Sequence, residues 1–144
     1  HTPTKVAAGN TFVYVPVSGL DAIAKARVEA AHWDATFPPD DVSGVYLYTR
    51  ECVRKGSAFH ARMFAPQLGV PEDPATGAAA VGFARVVDDF DDLRDGDHKR
   101  FIEQGHEMGR PSTIVLTLIV EGGNLDTVRI GGNVVRMADG SMRL

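Results

Sequence analysis

An α+β fold with a mainly antiparallel sheet is predicted by three features of the sequence. The order of elements is strand, helix, two strands, helix, and then a run of strands to the end of the chain. Neighbours in that run are joined by short segments carrying Gly109 with Pro111, Gly122-Gly123, Gly131-Gly132 or Asp139-Gly140, which suit hairpins and leave no room for helical crossovers. The later helix is rich in Ala and Gly, so surrounding sheet can approach it closely.

Thr11 to Val17 alternates β-branched and aromatic residues and runs into Ser18-Gly19, a strand followed by a turn. Asp21 is placed to cap a helix through Ala30, with Ile23, Ala26 and Ala30 at helical spacing. Trp33 to Pro39 closes it, because Pro38-Pro39 cannot continue a helix. Val45 to Thr49 and Ala58 to Phe64 are the next strands, joined by a charged segment that turns at Lys55-Gly56-Ser57. From Ala65 to Ala75 three prolines and one glycine impose a loop. Helical spacing returns from Thr76 to about Asp89, with Ala79, Gly82, Phe83, Val86 and Val87 on one face, and the small residues mark this as the central helix. After a polar connection from Asp88 to Lys99, strands are predicted at Arg100 to Glu107, Thr113 to Val120, Leu125 to Ile130 and Asn133 to Met137, before a last segment, Ser141 to Leu144. No linker or repeat divides the chain, so residues 1–144 are expected to form one domain.

The composition narrows the function. With 144 residues, 44% hydrophobic and 24% charged, the chain can fill one core. Its formal net charge of −4 is opposite to that of a phosphate-tracking surface, so no nucleic-acid partner is expected. The apolar runs Ile114 to Leu116 and Leu118 to Val120 are too short to span a bilayer, so no membrane partner is expected either. The single cysteine, Cys52, can form neither an internal disulfide nor a Cys-based zinc site, which fits a reducing, cytoplasmic setting. The start at His1 has no initiator Met and no signal-peptide pattern, and reads as a cut end.

Several motifs fail on their own spacing. An EF-hand register begun at Asp91 places Leu93 at a ligand position and Ile102 where the bidentate Glu belongs, so the Asp-rich stretch reads as a solvated face. The five histidines, His1, His32, His60, His98 and His106, include no helical zinc pair, and no metal is expected. His60 falls on the same side of its strand as Arg62 and Phe64 and reads first as a packed or surface histidine, with a substrate contact as the alternative. Gly105 to Arg110 has no closing Gly-Lys-Ser/Thr and precedes a strand, so it is no phosphate loop.

The segment Gly69-Val70-Pro71-Glu72-Asp73-Pro74-Ala75-Thr76-Gly77-Ala78-Ala79-Ala80 carries the candidate chemistry. A proline-framed loop delivers the carboxylate of Asp73 just ahead of a helix whose first turn has free amides at about Gly77 and Ala78. Such a start binds anions, and glycine removes the side chain that would block a ligand carboxylate. An acid or base beside an anion seat can move a proton on carbon next to a bound carboxylate. The bland alternative is that Asp73 or Thr76 caps the helix and the prolines make a turn.

Arg62-Met63-Phe64-Ala65-Pro66, the Gly69 to Ala79 segment, Gln104-Gly105 with Met108-Gly109-Arg110-Pro111-Ser112, and Val128 to Val135 resemble, in order, the C-terminal half of the phenazine-biosynthesis PhzF-like isomerase family. The resemblance runs from about Gly9 to Leu144. It implies a diaminopimelate epimerase-like half-domain: a highly curved, mainly antiparallel sheet wrapped around a central helix, with the active site in a cleft between two such halves. It further implies proton transfer without metal or organic cofactor on a small carboxylate-bearing substrate. By position, Asp73 matches the family's acidic residue in this half, and the amides of Gly77 and Ala78 match the seat of the substrate carboxylate. The family usually has Ser where this chain has Ala78, so the backbone amide is kept and the hydroxyl is not. The family's principal glutamate and a histidine-bearing loop belong to the N-terminal half, and none of Glu51, Glu72, Glu103, Glu107 and Glu121 stands in their context.

The expectation is therefore the C-terminal half of an isomerase, inactive alone, with Asp73 as the acid/base group and Gly77 and Ala78 holding substrate. Its expected partner is the N-terminal half of the same enzyme or a second copy of the chain, as a dimer. The alternative is a non-catalytic anion-binding or interaction module.

Overall fold

The computed structural model describes residues 1–143, and Leu144, the end of the last predicted segment, lies outside the described residues. The chain forms β1 (Thr4–Ala8), β2 (Asn10–Pro16), α1 (Leu20–Lys25), α2 (Ala30–Thr36), β3 (Gly44–Thr49) and β4 (Phe59–Ala65). A 3-10 turn, Pro66–Leu68, then precedes β5 (Val70–Asp73), α3 (Gly77–Phe90), β6 (Gly96–Gln104), β7 (Ser112–Glu121) and β8 (Asn124–Gly132). One sheet takes them all in the order β1-β2-β3-β4-β6-β7-β8, with β5 branching from β4. α3 packs against β1 and β2 and also against β7 and β8, which a flat sheet could not allow. The sheet is therefore curled around the helix, as the resemblance implied, and the α+β class holds.

Two pairs are parallel, β2 with β3 and β4 with β6, and the other five are antiparallel. The parallel pairs need crossovers, supplied by α1 with α2 and by α3. The central helix is thus the connection that lets β6 lie beside β4.

The helix predicted from Asp21 to Ala30 stops at Lys25, and a second helix, α2, begins only at Ala30. Arg62 Nη1 donates to the carbonyls of Ile23 at 2.8 Å and Ala26 at 3.1 Å, occupying groups that further helix would need, and Ala26 turns extended. Asp21 is not the cap: Gly19 takes that position, and the amide of Leu20 donates to Glu51 Oε2 at 2.8 Å from across the fold. Trp33 lies inside α2, which ends at Thr36 ahead of Pro38-Pro39.

Two further expectations are corrected, and one strand, β1, was not foreseen. β1 arises because Gly9, at φ +81°, folds Thr4–Ala8 back onto β2. The proline-rich loop contains β5, whose pairing with β4 tolerates Pro71 at an edge. Asn133 to Met137 is not a strand: Val134, Val135 and Met137 are exposed, and β-branched residues make a strand only where a partner receives them.

α3 buries Ala79, Ala80, Phe83, Ala84, Val86 and Val87, and Phe83 lies within 4.7–5.8 Å, centroid to centroid, of Tyr14, Tyr46, Tyr48 and Phe59. Burial pushes the Tyr48 phenol up to about 12 and raises those of Tyr14 and Tyr46 further. Gly82 has a specific reason to be glycine, since a Cβ there would stand 2.3 Å from the hydroxyl of Tyr14, which donates to the carbonyl of Ala79 at 2.7 Å. Gly82→Ala gains helix propensity but must displace a buried, bonded ring. It is expected to lower stability by about 1–3 kcal/mol in urea denaturation.

Among the described residues no helix is long and apolar enough to cross a membrane.

Candidate functional site

β4 is buried on both faces, and its alternation sorts two chemistries. Phe59, Ala61, Met63 and Ala65 enter the core around α3. His60, Arg62 and Phe64 point the other way, as predicted, and His60 is packed. His60 Nδ1 lies 2.7 Å from Glu103 Oε1 and His60 Nε2 lies 2.9 Å from Glu107 Oε1, so both contacts are donations only when the ring carries both protons. Glu103 also accepts from the amides of Val53 at 2.6 Å and Arg54 at 3.0 Å. Burial alone would raise its carboxyl, but hydrogen bonds from His60, the two amides and Ser57 outweigh it and hold the group below its ordinary value.

Arg62 anchors the neighbour of the predicted acid. Its Nε and Nη2 donate to the two oxygens of Glu72 at 2.7 and 2.8 Å, a paired geometry that raises the guanidinium above its ordinary value. Glu72 and Asp73 are successive residues of a strand and face opposite ways. Arg62 therefore secures β5 from one side while Asp73 turns to the other. The pairing of Met63 with Asp73 sets its height on the sheet.

The two parts of the predicted site meet through Thr76. Its hydroxyl donates to Asp73 Oδ2 at 2.7 Å, and no side chain caps α3. Thr76 holds the cap position of α3 without a side-chain cap hydrogen bond, and its hydroxyl instead closes a turn onto Asp73. The first backbone bond of the helix runs from the amide of Ala80 to the carbonyl of Thr76, at 3.0 Å, leaving the preceding amides at the positive end of the helix. Ala78 is exposed. A Cβ on Gly77 would meet only Ile130 Cγ2 at 4.0 Å, so the packing of the chain does not itself demand glycine here. Gly77 instead faces an open cleft of about 740 Å³, shared with Arg110, Ser112, Ile130 and Gly132; Asp73 and Ala78 do not line it.

Sequence reasoning missed Gln104, which ends β6 fully buried behind the turn. Its Nε2 donates to the carbonyl of Asp73 at 2.6 Å and to Thr76 Oγ1 at 2.9 Å, and its Oε1 accepts from the amide of Thr76 at 3.4 Å. Gly105 follows at φ +81°, and a Cβ there would stand 2.4 Å from the carbonyl oxygen of Arg110 and 2.9 Å from that of Pro74. Only glycine lets β6 end this close to the Asp73–Thr76 turn. A buried amide beside an obligatory glycine was the available signal.

Residues 1–140 match the family described as phenazine biosynthesis-like protein. An uncharacterized isomerase of Mesorhizobium japonicum is 44% identical over 94% of this chain and 46% of its own length. The trans-2,3-dihydro-3-hydroxyanthranilate isomerase of Pseudomonas aeruginosa is 34% identical over 59% of this chain and 30% of its own. The crystal structure of a Bacillus anthracis PhzF-family protein superposes with a TM-score of 0.72 at 21% identity, covering 85% of this chain and 41% of that one. The chain spans about half the length of the curated relatives it matches. The curled sheet, the threaded helix and the match over nearly every residue agree: the chain belongs to the phenazine biosynthesis-like protein family.

Proposed function

We propose that this chain is the C-terminal half of a cofactor-independent isomerase or epimerase-like enzyme that moves a proton on a small carboxylate-bearing substrate. One observation carries the reading: the hydroxyl best placed to cap α3 is turned onto Asp73 instead, leaving an orienting bond on the acid and an uncapped helix start beside it. In this reading the amides of Gly77 and Ala78 receive the substrate carboxylate. Removing a proton from the adjacent carbon sends negative charge onto that carboxylate, where the helix start stabilises it most. Asp73 Oδ1, the oxygen not bonded to Thr76, takes or returns the proton.

The isomerase names of its relatives support this reaction class. The opposing group comes from the N-terminal half of the enzyme or from a second copy, in a cytoplasmic protein. Ala78 in place of the family's usual Ser favours a second reading, an anion-binding module in which no proton moves.

The test is solvent exchange. The complete enzyme in deuterium oxide is expected to place deuterium on the carbon next to the carboxylate of a turned-over substrate, read by NMR. Calorimetric binding of small carboxylates without any exchange would select the module, and absence of both would remove the seat.

A further inference from the structure

We propose that Gln104 is a positioning residue which, through the Thr76 hydroxyl, fixes which oxygen of Asp73 is presented for proton transfer. This rests on the reading of Asp73 given above. A hydroxyl has one proton to give. Gln104 Nε2 donates to Thr76 Oγ1 at 2.9 Å, so that oxygen acts there as an acceptor and its own proton is left for Asp73 Oδ2, 2.7 Å away. The direction of the Gln104 amide is set in turn by the backbone: its oxygen faces the amide of Thr76 and its nitrogen the carbonyl of Asp73. The reverse orientation would oppose donor to donor and acceptor to acceptor.

The relay is shielded, since Gln104 is fully buried and Thr76 is buried. Water therefore does not compete for the hydroxyl proton, and the order donor, hydroxyl, carboxylate is kept. Asp73 is half-buried and is the one member of the three that opens toward solvent. The consequence is a carboxylate with one oxygen tied and its rotation stopped. A proton-transfer group must hold its angle to the reacting carbon, and a small misplacement costs far more in rate than in binding.

Three variants of the complete enzyme test the relay. Thr76→Val keeps the shape and removes the hydroxyl. Gln104→Glu keeps the shape and replaces the donor with an acceptor, drawing the Thr76 proton away from Asp73. Thr76→Ser keeps the hydroxyl and loses only a methyl group. The first two are expected to lower kcat about 10–100-fold with KM within about twofold, and Thr76→Ser to restore most of the turnover.

A merely structural turn would disturb the neighbouring helix start as well. A rise in KM parallel to the loss of kcat, or a Thr76→Ser variant as slow as Thr76→Val, would therefore overturn the proposal. Unchanged kcat in Thr76→Val and Gln104→Glu, beside an inactive Asp73→Asn, would overturn the relay alone. Full turnover in Asp73→Asn would overturn the reading of Asp73 and the relay with it. Because Gln104→Glu buries a carboxylate beside the Asp73 carbonyl and could unfold the turn, thermal melting accompanies each variant, and the Thr76 pair decides the outcome if Gln104→Glu does not fold.

Discussion

Asp73→Asn in the complete enzyme is expected to lower turnover by about 10²–10⁴-fold, the usual share of a positioned acid or base. The fold and the carboxylate seat should survive. Asn has the shape of Asp, and its amide oxygen can still accept from the Thr76 hydroxyl at the place now held by Oδ2. That fixes the amide NH₂ at the place of Oδ1, where it can donate a hydrogen bond but cannot take a proton. The amides proposed to receive the carboxylate belong to α3 and do not change, so KM should move little while kcat falls. Stability should change by no more than about 1 kcal/mol, the difference between a charge-assisted and a neutral hydrogen bond. Steady-state kinetics and deuterium exchange check the rate, and urea denaturation checks the fold. Undiminished kcat would take Asp73 out of the chemistry.

The sequence made this segment visible because each of its parts has a local cause. Pro74 fixes the backbone after Asp73, Gly77 opens the helix start, and the small residues of α3 allow sheet on several sides; all act within a few residues of themselves. What stayed hidden depends on distant partners. Thr76 reads as a helix cap, and the amide of Gln104, distant in sequence at the end of β6, is the partner its hydroxyl has besides Asp73. Arg62 reads as one charge in a strand, yet it binds the carbonyls at which the predicted Asp21–Ala30 helix stops, and it braces Glu72. The hairpin argument found β3 with β4, β6 with β7 and β7 with β8, but not β1 with β2 or β4 with β5, and it missed the parallel pairs β2 with β3 and β4 with β6 because α1, α2 and α3 had not been read as crossovers. Asn133 to Met137 has strand composition without a strand to pair with, and composition alone cannot supply one.

The buried acid of the outer network leads to the largest stability effect. Glu103→Leu should cost about 3–5 kcal/mol, because it leaves the amides of Val53 and Arg54 and Nδ1 of His60 facing an apolar side chain. The wild-type protein should carry the matching acid sensitivity. Glu103 is held below its ordinary value of 4.5 in the fold and regains that value when the chain unfolds. The unfolded state then binds the proton more readily, so the contribution of Glu103 is complete above about pH 4.5 and is lost as the pH falls through the folded value. Glu103→Gln keeps the shape and cannot titrate. The stability gap between wild type and Glu103→Gln, measured by urea denaturation, should therefore be widest near neutrality and shrink as the pH drops below 4.5. The same gap at pH 7 and pH 3 would mean that the Glu103 carboxylate contributes no more than a neutral hydrogen-bonding group. The brace it shares with His60 and Glu107 would then be held by packing rather than by charge.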